Sequence, residues 1–258
     1  MAAGEREFLK VDVDDGIATI TLNRPPVNVM HIPMMAEINT LLESLLKSEN
    51  LAAIVFRANG KAFCAGVDVA DHSADKVGEM IEQFHGIFRK LAATDALTIA
   101  AVDGAALGGG CELATFCDIV LASQRAKFGQ PEVQVGVLPP IAACILPLQV
   151  GIKKAIELNA VGMTIRADEA QRIGLVNQVF PVEGFDAAVD EYLAQIRKLS
   201  RPVVRMAKRA TSMVAREQIL DHLKQVEKLY LKELMDLSDA HEGIAAFTQK
   251  RTPEWKHE

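Results

Sequence analysis

The sequence is short of the features that would make a fibre, a channel or a nucleic-acid binder. Aromatic residues make up 5% of its 258 positions, with a single tryptophan. No stretch approaches the ~18 uninterrupted apolar residues that a membrane-spanning helix requires. Basic residues are not in excess: 28 Lys and Arg stand against 34 Asp and Glu, for a formal charge of −6. Neutralising phosphates takes a basic face, so nucleic acid is not an expected partner, although a local cluster of cations can still hold an anionic small molecule. The four cysteines, Cys64, Cys111, Cys117 and Cys144, form no CxxC pair and have no matching histidine spacing. That argues against a zinc site or a disulfide frame and leaves them as small buried hydrophobes. Neither GxGxxG nor GK[ST] occurs, which weighs against dinucleotide and nucleoside triphosphate enzymes. The amino-terminal MAAGEREFLKVDVDD carries acids where a secretory leader has a basic flank and an apolar core, so a soluble, cytoplasmic protein is expected.

What is present is ordinary globular material, 50% hydrophobic and 24% charged, long enough for one large domain or a core with an appendage. Phe8 to Val13 and Ile17 to Leu22 alternate apolar and polar side chains around Asp15-Gly16, which reads as two strands and a tight turn. Met34, Met35, Ile38, Leu41, Leu42 and Leu45 follow at helical spacing, and the two methionines need no role beyond the core. Leu51 to Phe56 reads as a strand, Asn59 to Ser73 as a loop, and Ala74 to Leu91 as a helix. A buried strand from Leu97 to Val102 stops at Asp103-Gly104, and Ile119 to Ala122 is another, with a turn through Lys127, Phe128 and Gly129. Repeated strand-strand-helix units with parallel returns predict an α/β fold, a wound or spiral core over residues 1–184. Residues 185–258 read as amphipathic helices at Ala187 to Leu199, Val203 to Val214, Gln218 to Leu237 and Asp239 to Gln249. Such a tail exceeds what capping a core needs and predicts packing on a neighbouring subunit.

Two loops and two acids carry the chemistry. Gly108, Gly109 and Gly110 stand between a buried strand and a helix, where a ligand can approach main chain that no Cβ obstructs. Their N–H groups lie at the positive end of a helix dipole and can stabilise charge developing on an oxygen; a tight packing turn is the alternative. The run Ala62-Phe63-Cys64-Ala65-Gly66-Val67-Asp68 also follows a buried strand, so its amides can face the first set across the strand ends. Glu112 and Glu132 are flanked by apolar stretches and are costly to bury without a partner or a task. Two acids at one cleft can hold a water, one taking its proton and the other delivering one to carbon; helix capping and a loop hydrogen bond are the respective alternatives.

The run AVDGAALGGGCELATFCDIVLAS, followed by AKFGQPEVQVGV and preceded by KAFCAGVDV, resembles the enoyl-CoA hydratase/isomerase (crotonase) superfamily over essentially the whole chain. The resemblance implies a crotonase-like spiral of ββα units with a C-terminal α-helical region for trimerisation and pocket closure. It implies a homotrimer or a dimer of trimers, and a hydro-lyase acting on acyl-CoA thioesters. It also implies oxyanion donors at the backbone N–H groups of Val67 and Gly109, catalytic acids at Glu112 and Glu132, and substrate contacts at Val27, Ala65, Gly66, Asp68, Val69, Gly108 and Pro139. No metal or separate cofactor is expected, because coenzyme A arrives as part of the substrate.

A closer likeness lies in EVQVGVLPPIAACILP, from Glu132 to Pro147, and in VEKLYLKELMDLSDAHEGIAAFTQKRTPEW at the end. Where ordinary hydratases continue after the acid with a glycine-rich stretch, this chain has Pro139, Pro140, Ile141 and Ala142. Both segments resemble the cyclohexa-1,5-diene-1-carbonyl-CoA hydratases of anaerobic benzoyl-CoA degradation. A short-chain 2-enoyl-CoA hydratase or isomerase is the alternative, and a non-catalytic CoA-thioester-binding scaffold is the alternative of another class. Arg24, Lys61, Lys250 and Arg251 are candidates for the CoA phosphates, since Ala70 and His72 stand where the family often has a lysine. His85 can reach the acyl pocket or simply pack in a helix, and Trp255 is expected to anchor the tail.

Overall fold

A computed structural model describes residues 6–258 and shows how the spiral is wound. Strands β1 (Leu9–Asp14) and β2 (Ile17–Leu22) pair antiparallel from Leu9 against Leu22 to Asp14 against Ile17. The turn holds Asp15 at φ 42° and Gly16 at φ 77°, the left-handed pair that matches the twist of a two-residue hairpin. Strands β3 (Ala53–Ala58), β5 (Leu97–Val102), β7 (Ile119–Ser123) and β10 (Gln178–Phe180) extend β2 in parallel, in the order β1-β2-β3-β5-β7-β10. A second sheet has the order β4-β6-β8-β9, built from β4 (Ala62–Cys64), β6 (Ala105–Leu107), β8 (Lys127–Gly129) and β9 (Thr164–Arg166).

The central strands β3, β5 and β7 of the large sheet are buried on both faces, as parallel strands require. Ile54, Phe56, Ala100, Val102, Val120 and Ala122 face a core shared with α1 (Ile32–Leu46) and α2 (Val77–Ala93). The alternate residues Val55, Ile99, Ala101 and Leu121 face Phe185, Val189, Leu193 and Ile196 of α7 (Phe185–Arg197). The first helix after residue 184 is thus part of the sheet's own layering.

Three times a strand of the large sheet is followed almost at once by a strand of the small one: β3 by β4, β5 by β6, β7 by β8. Strands β4, β6 and β8 lie side by side and parallel, with Cys64 beside Ala106 and Leu107 beside Gly129. Their carboxyl ends therefore open at one place. The segments that follow them are Ala65 to Asp68, Gly108 with α3 (Gly109–Phe116), and Gln130 with the 3-10 turn Pro131–Val135.

The short strands escape the sequence reading because three residues hold too little periodicity to register. Residues 140–172 form α4 (Pro140–Val150), α5 (Ile152–Val161), β9 and α6 (Ala167–Arg172), elements with no counterpart in the sequence expectation. The two helices expected between 203 and 237 are one, α8 (Arg201–Lys232), because the polar stretch around Arg216 and Glu217 contains neither glycine nor proline to break it. Lys208 fastens α8 to the sheet: its buried Nζ lies 2.6 Å from Asp118 Oδ2 and donates to the Ala96 carbonyl at 2.7 Å. The tail folds back on α9 (Ser238–Thr248), although not through Trp255, which is 37% exposed. Carboxylates hold it instead: Glu242 pairs with Arg251, and Asp239 accepts the N–H groups of Lys256 and His257 at 2.7 and 2.8 Å.

Candidate active site

The carboxyl ends of β4, β6 and β8 open into a cavity of about 310 Å³. Eight of the expected site residues line it: Ala65, Gly66, Val67, Val69, Gly108, Gly109, Glu112 and Glu132. Val27, Asp68 and Pro139 do not, and each has a supporting position instead. The Val27 carbonyl accepts the Ala65 N–H at 2.9 Å and pins the first loop. Asp68 caps the 3-10 turn Val69–His72 by accepting from the Ala70 N–H at 3.1 Å. Pro139 precedes α4 and accepts the Ala143 N–H at 3.0 Å, while its neighbours Leu138 and Pro140 reach the cavity.

The glycine triplet is a packing necessity at every position. At Gly108 φ is +50°, and a Cβ would stand 2.7 Å from Glu132 Oε1. On Gly109 a Cβ would meet Val67 Cγ2 at 2.7 Å, and on Gly110 the Cys64 carbonyl oxygen at 2.2 Å. The two loops and the second acid thus touch at contact distance. Neighbouring N–H groups are committed: Gly108 donates to Gly129 O at 2.9 Å and Asp68 to Met30 O at 2.8 Å. Those of Val67 and Gly109 take no part in these loop hydrogen bonds, and Gly109 is the first residue of α3, where the helix supplies no acceptor for it. Two donors from two loops therefore meet at one cavity, one of them at the positive end of a helix dipole.

Glu112 is 1% exposed, and its Oε1 accepts the Ala142 N–H at 2.8 Å. Ala142 lies in the first turn of α4, so the Pro139 to Ala142 segment brings a helix amino terminus onto this carboxylate. Burial pushes the Glu112 pKa up, and the N–H groups of Ala142 and Ile141 pull against that rise. Glu132 is raised well above the ordinary range by burial and then by the charge on Glu112. Its Oε2 has no hydrogen-bond partner among the described residues. Two nearby acids cannot both be ionised cheaply in an apolar site, and the dipolar support goes to Glu112. The shared proton therefore belongs on Glu132.

The remaining walls are mostly apolar: Met80, Ile81 and Phe84 from α2, Val135, Val137 and Leu138 after Glu132, and Phe247 from α9. Three more polar groups were not singled out for the cavity from sequence: Gln134, His72 and Tyr230. His72 Nδ1 is 3.0 Å from the Asp68 carbonyl oxygen, and burial lowers its pKa, so it supplies no cation in place of the family's lysine. None of Arg24, Lys61, Lys250 and Arg251 lines the cavity. Arg24 donates to the Val29 carbonyl at 2.8 Å, and Arg251 is engaged by Glu242. His85 is likewise a packing residue, fully buried on α2 with Nδ1 2.9 Å from Glu227 Oε1. The four cysteines are buried and unpaired, and desolvation raises their pKa values, to about 12 for Cys64, so none is a poised nucleophile.

Residues 12–258 match the family described as enoyl-CoA hydratase/isomerase. The chain belongs to that family. It is 35% identical over 244 residues to a cyclohexa-1,5-dienecarbonyl-CoA hydratase of Thauera aromatica, covering 95% of this chain and 94% of that protein. It is also 35% identical over 254 residues to a probable enoyl-CoA hydratase of Mycobacterium tuberculosis, covering 97% and 98%. Among solved structures, an enoyl-CoA hydratase from Mycobacterium avium subsp. paratuberculosis superposes with a TM-score of 0.88 at 26% identity, over 97% of this chain and 99% of that one. The crotonase fold anticipated from the sequence motifs is the fold observed.

Gly108→Ala tests the contact between the second loop and the second acid. The added methyl must displace Glu132 by a fraction of an ångström to an ångström, for which a loss on the order of 100-fold in kcat for an enoyl-CoA thioester is expected. A variant that turns over at the wild-type rate, measured by loss of enoyl thioester absorbance, would show that Glu132 need not sit against Gly108.

Proposed function

We propose that this protein is a hydro-lyase that adds water to cyclohexa-1,5-diene-1-carbonyl-CoA, giving 6-hydroxycyclohex-1-ene-1-carbonyl-CoA. The observation that carries the reading is the meeting of Glu112, Glu132 and the Val67 and Gly109 N–H groups on one apolar cavity. The thioester carbonyl accepts hydrogen bonds from the two N–H groups, each worth roughly 2.7 to 4 kcal/mol in comparable holes. Glu112, ionised and held by α4, takes a proton from water. The water oxygen bonds to carbon 2 of the ring, and the electron pair of the C1=C2 bond moves into the thioester as an enolate conjugated with the C5=C6 bond. Glu132 gives its proton to carbon 5, which leaves a double bond between carbons 1 and 6. Renumbered, this is the 6-hydroxy-1-ene, a net 1,4-addition. The chain's own groups suffice for every step, with coenzyme A arriving in the substrate and no metal or redox cofactor involved.

Support for a ring substrate comes from the likeness to the Thauera aromatica protein and from the Pro139 to Ala142 segment, which replaces a glycine-rich stretch and contributes Pro140 to the cavity wall. The equal identity to a probable enoyl-CoA hydratase favours a second reading, a linear 2-enoyl-CoA substrate protonated at the α-carbon. Product analysis with the synthetic dienoyl thioester and with crotonyl-CoA decides between them. The proposal expects the 6-hydroxy product and slow action on crotonyl-CoA; fast turnover of crotonyl-CoA with no action on the diene rejects it in favour of the linear substrate.

The acid assignments predict opposite responses of activity and stability. Glu132→Gln should lower kcat by at least ~100-fold while leaving thioester binding largely intact. Its effect on folding has a defined sign. A glutamate whose folded pKa is raised is favourable only while protonated, so stability drains away as pH rises above its unfolded pKa. Glutamine does not titrate, so the melting temperature of Glu132→Gln should gain on the wild type between pH 5 and about 8. A constant gap across that range would place the buried proton elsewhere.

The working assembly is proposed to be a homotrimer or a dimer of trimers in the cytoplasm. Leu148, Ile152, Ile156 and Val161 on α4 and α5, and Val203 and Met206 on α8, stand exposed, and large apolar side chains left exposed in such numbers are typical of subunit contacts. Four buried reduced thiols suit a reducing compartment. Sedimentation equilibrium should give a mass three or six times 28.0 kDa, and a stable monomer would remove the assembly.

A further inference from the structure

Tyr230 is an anomaly in the cavity. It lies near the carboxyl end of α8 on the face that carries Leu223 and Val226, and all three are buried. An aromatic residue at that spacing is ordinary core, yet Tyr230 lines the same cavity as the two acids. The side chain is 1% exposed, and its oxygen has no hydrogen-bond partner among the described residues. A buried phenol normally finds one, and leaving it unpaired costs on the order of 1–3 kcal/mol. Among the described residues, the other buried side-chain atom on this cavity without a partner is Oε2 of Glu132. Both carboxylates are near enough for their charge, added to burial, to raise the Tyr230 pKa, so it stays a neutral donor throughout the working pH range. An oxygen placed among these groups can donate a hydrogen bond to the Glu112 carboxylate and accept one from the phenol.

We propose that the Tyr230 hydroxyl donates a hydrogen bond to the oxygen that adds to the substrate, first as the water held by the glutamate pair and then as the hydroxyl of the product. This rests on the hydration reading and deepens it by adding a third group that orients the nucleophile. The donor aims a lone pair of the water away from the phenol and toward carbon 2 of the ring, while Glu112 holds the proton that leaves. It transfers no proton itself. The same contact distinguishes a hydroxylated acyl chain from its deoxy counterpart, because without the hydroxyl the phenol stays buried and unpaired.

The test is Tyr230→Phe, which keeps the ring and its packing and removes one oxygen. Two readouts are compared with the wild type. In turnover, kcat should fall roughly ten-fold or more with KM little changed, the worth of one buried hydrogen bond, while the melting temperature stays equal or rises. In binding, measured by calorimetry with 3-hydroxybutanoyl-CoA and butanoyl-CoA, the wild type should prefer the hydroxylated thioester and the variant should lose that preference by a similar factor. A merely structural tyrosine would lower the melting temperature and leave the preference between the two thioesters unchanged. If the variant keeps both its rate and its preference while Glu132→Gln is inactive, the tyrosine proposal fails and the hydratase reading stands. If the wild type binds neither thioester, the reading of the site fails and the tyrosine role falls with it.

Discussion

The site depends on one constraint: three short strands pair in parallel, so that their carboxyl ends cannot avoid one another. Pairing of β4 with β6 and of β6 with β8 fixes where Val67, Gly109 and Glu132 begin, to within a strand spacing of about 4.8 Å. Closing the remaining distance falls to the glycines. A side chain at 108, 109 or 110 would occupy space taken by Glu132, Val67 or the Cys64 carbonyl. The triplet is therefore the means by which three neighbouring loops become one surface. The long strands of the other sheet matter to function mainly by delivering each short strand to its place.

Much of this was legible in the residues, for identifiable reasons. The buried strands were readable because Leu51 to Phe56 is a short continuous apolar run, as strands covered on both faces are, although which of Ile54, Val55 and Phe56 faces which core is not written in it. The loops were readable because glycine runs and buried acids are expensive and therefore conspicuous. The small sheet was hidden because Ala62 to Cys64 and Ala105 to Leu107 are too short to show a period, so the geometry that joins the loops had to come from coordinates. Tyr230 was hidden for the opposite reason: its spacing on α8 is that of an ordinary core residue, and only the absence of a partner for its oxygen marks it. The supporting positions of Val27, Asp68 and Pro139 follow the same logic. Sequence motifs locate a loop, while which of its residues face inward depends on hydrogen bonds such as Ala65 to Val27 that no local pattern records.

The difference in proton affinity between the two acids has its origin outside the loops that carry them. Glu112 and Glu132 are the same residue type, the first buried and the second partly buried, both with raised pKa values. They differ in what lies behind them. Glu112 meets the first turn of α4, where unsatisfied N–H groups and the helix dipole favour the ionised form, and Glu132 leaves one oxygen unpaired. Moving the start of α4 by a turn would take Ala142 away from Glu112 and make the pair nearly degenerate, with the proton shared and neither acid specialised. The Pro139 to Ala142 segment thus does two things at once. Proline at the first position of α4 fixes where the helix begins, which sets the charge on Glu112, and the same proline side chain forms part of the wall against which an acyl group would rest. A change made here to reshape the pocket for a different acyl group also alters the acid–base pair, so substrate range and proton placement in this chain cannot vary independently.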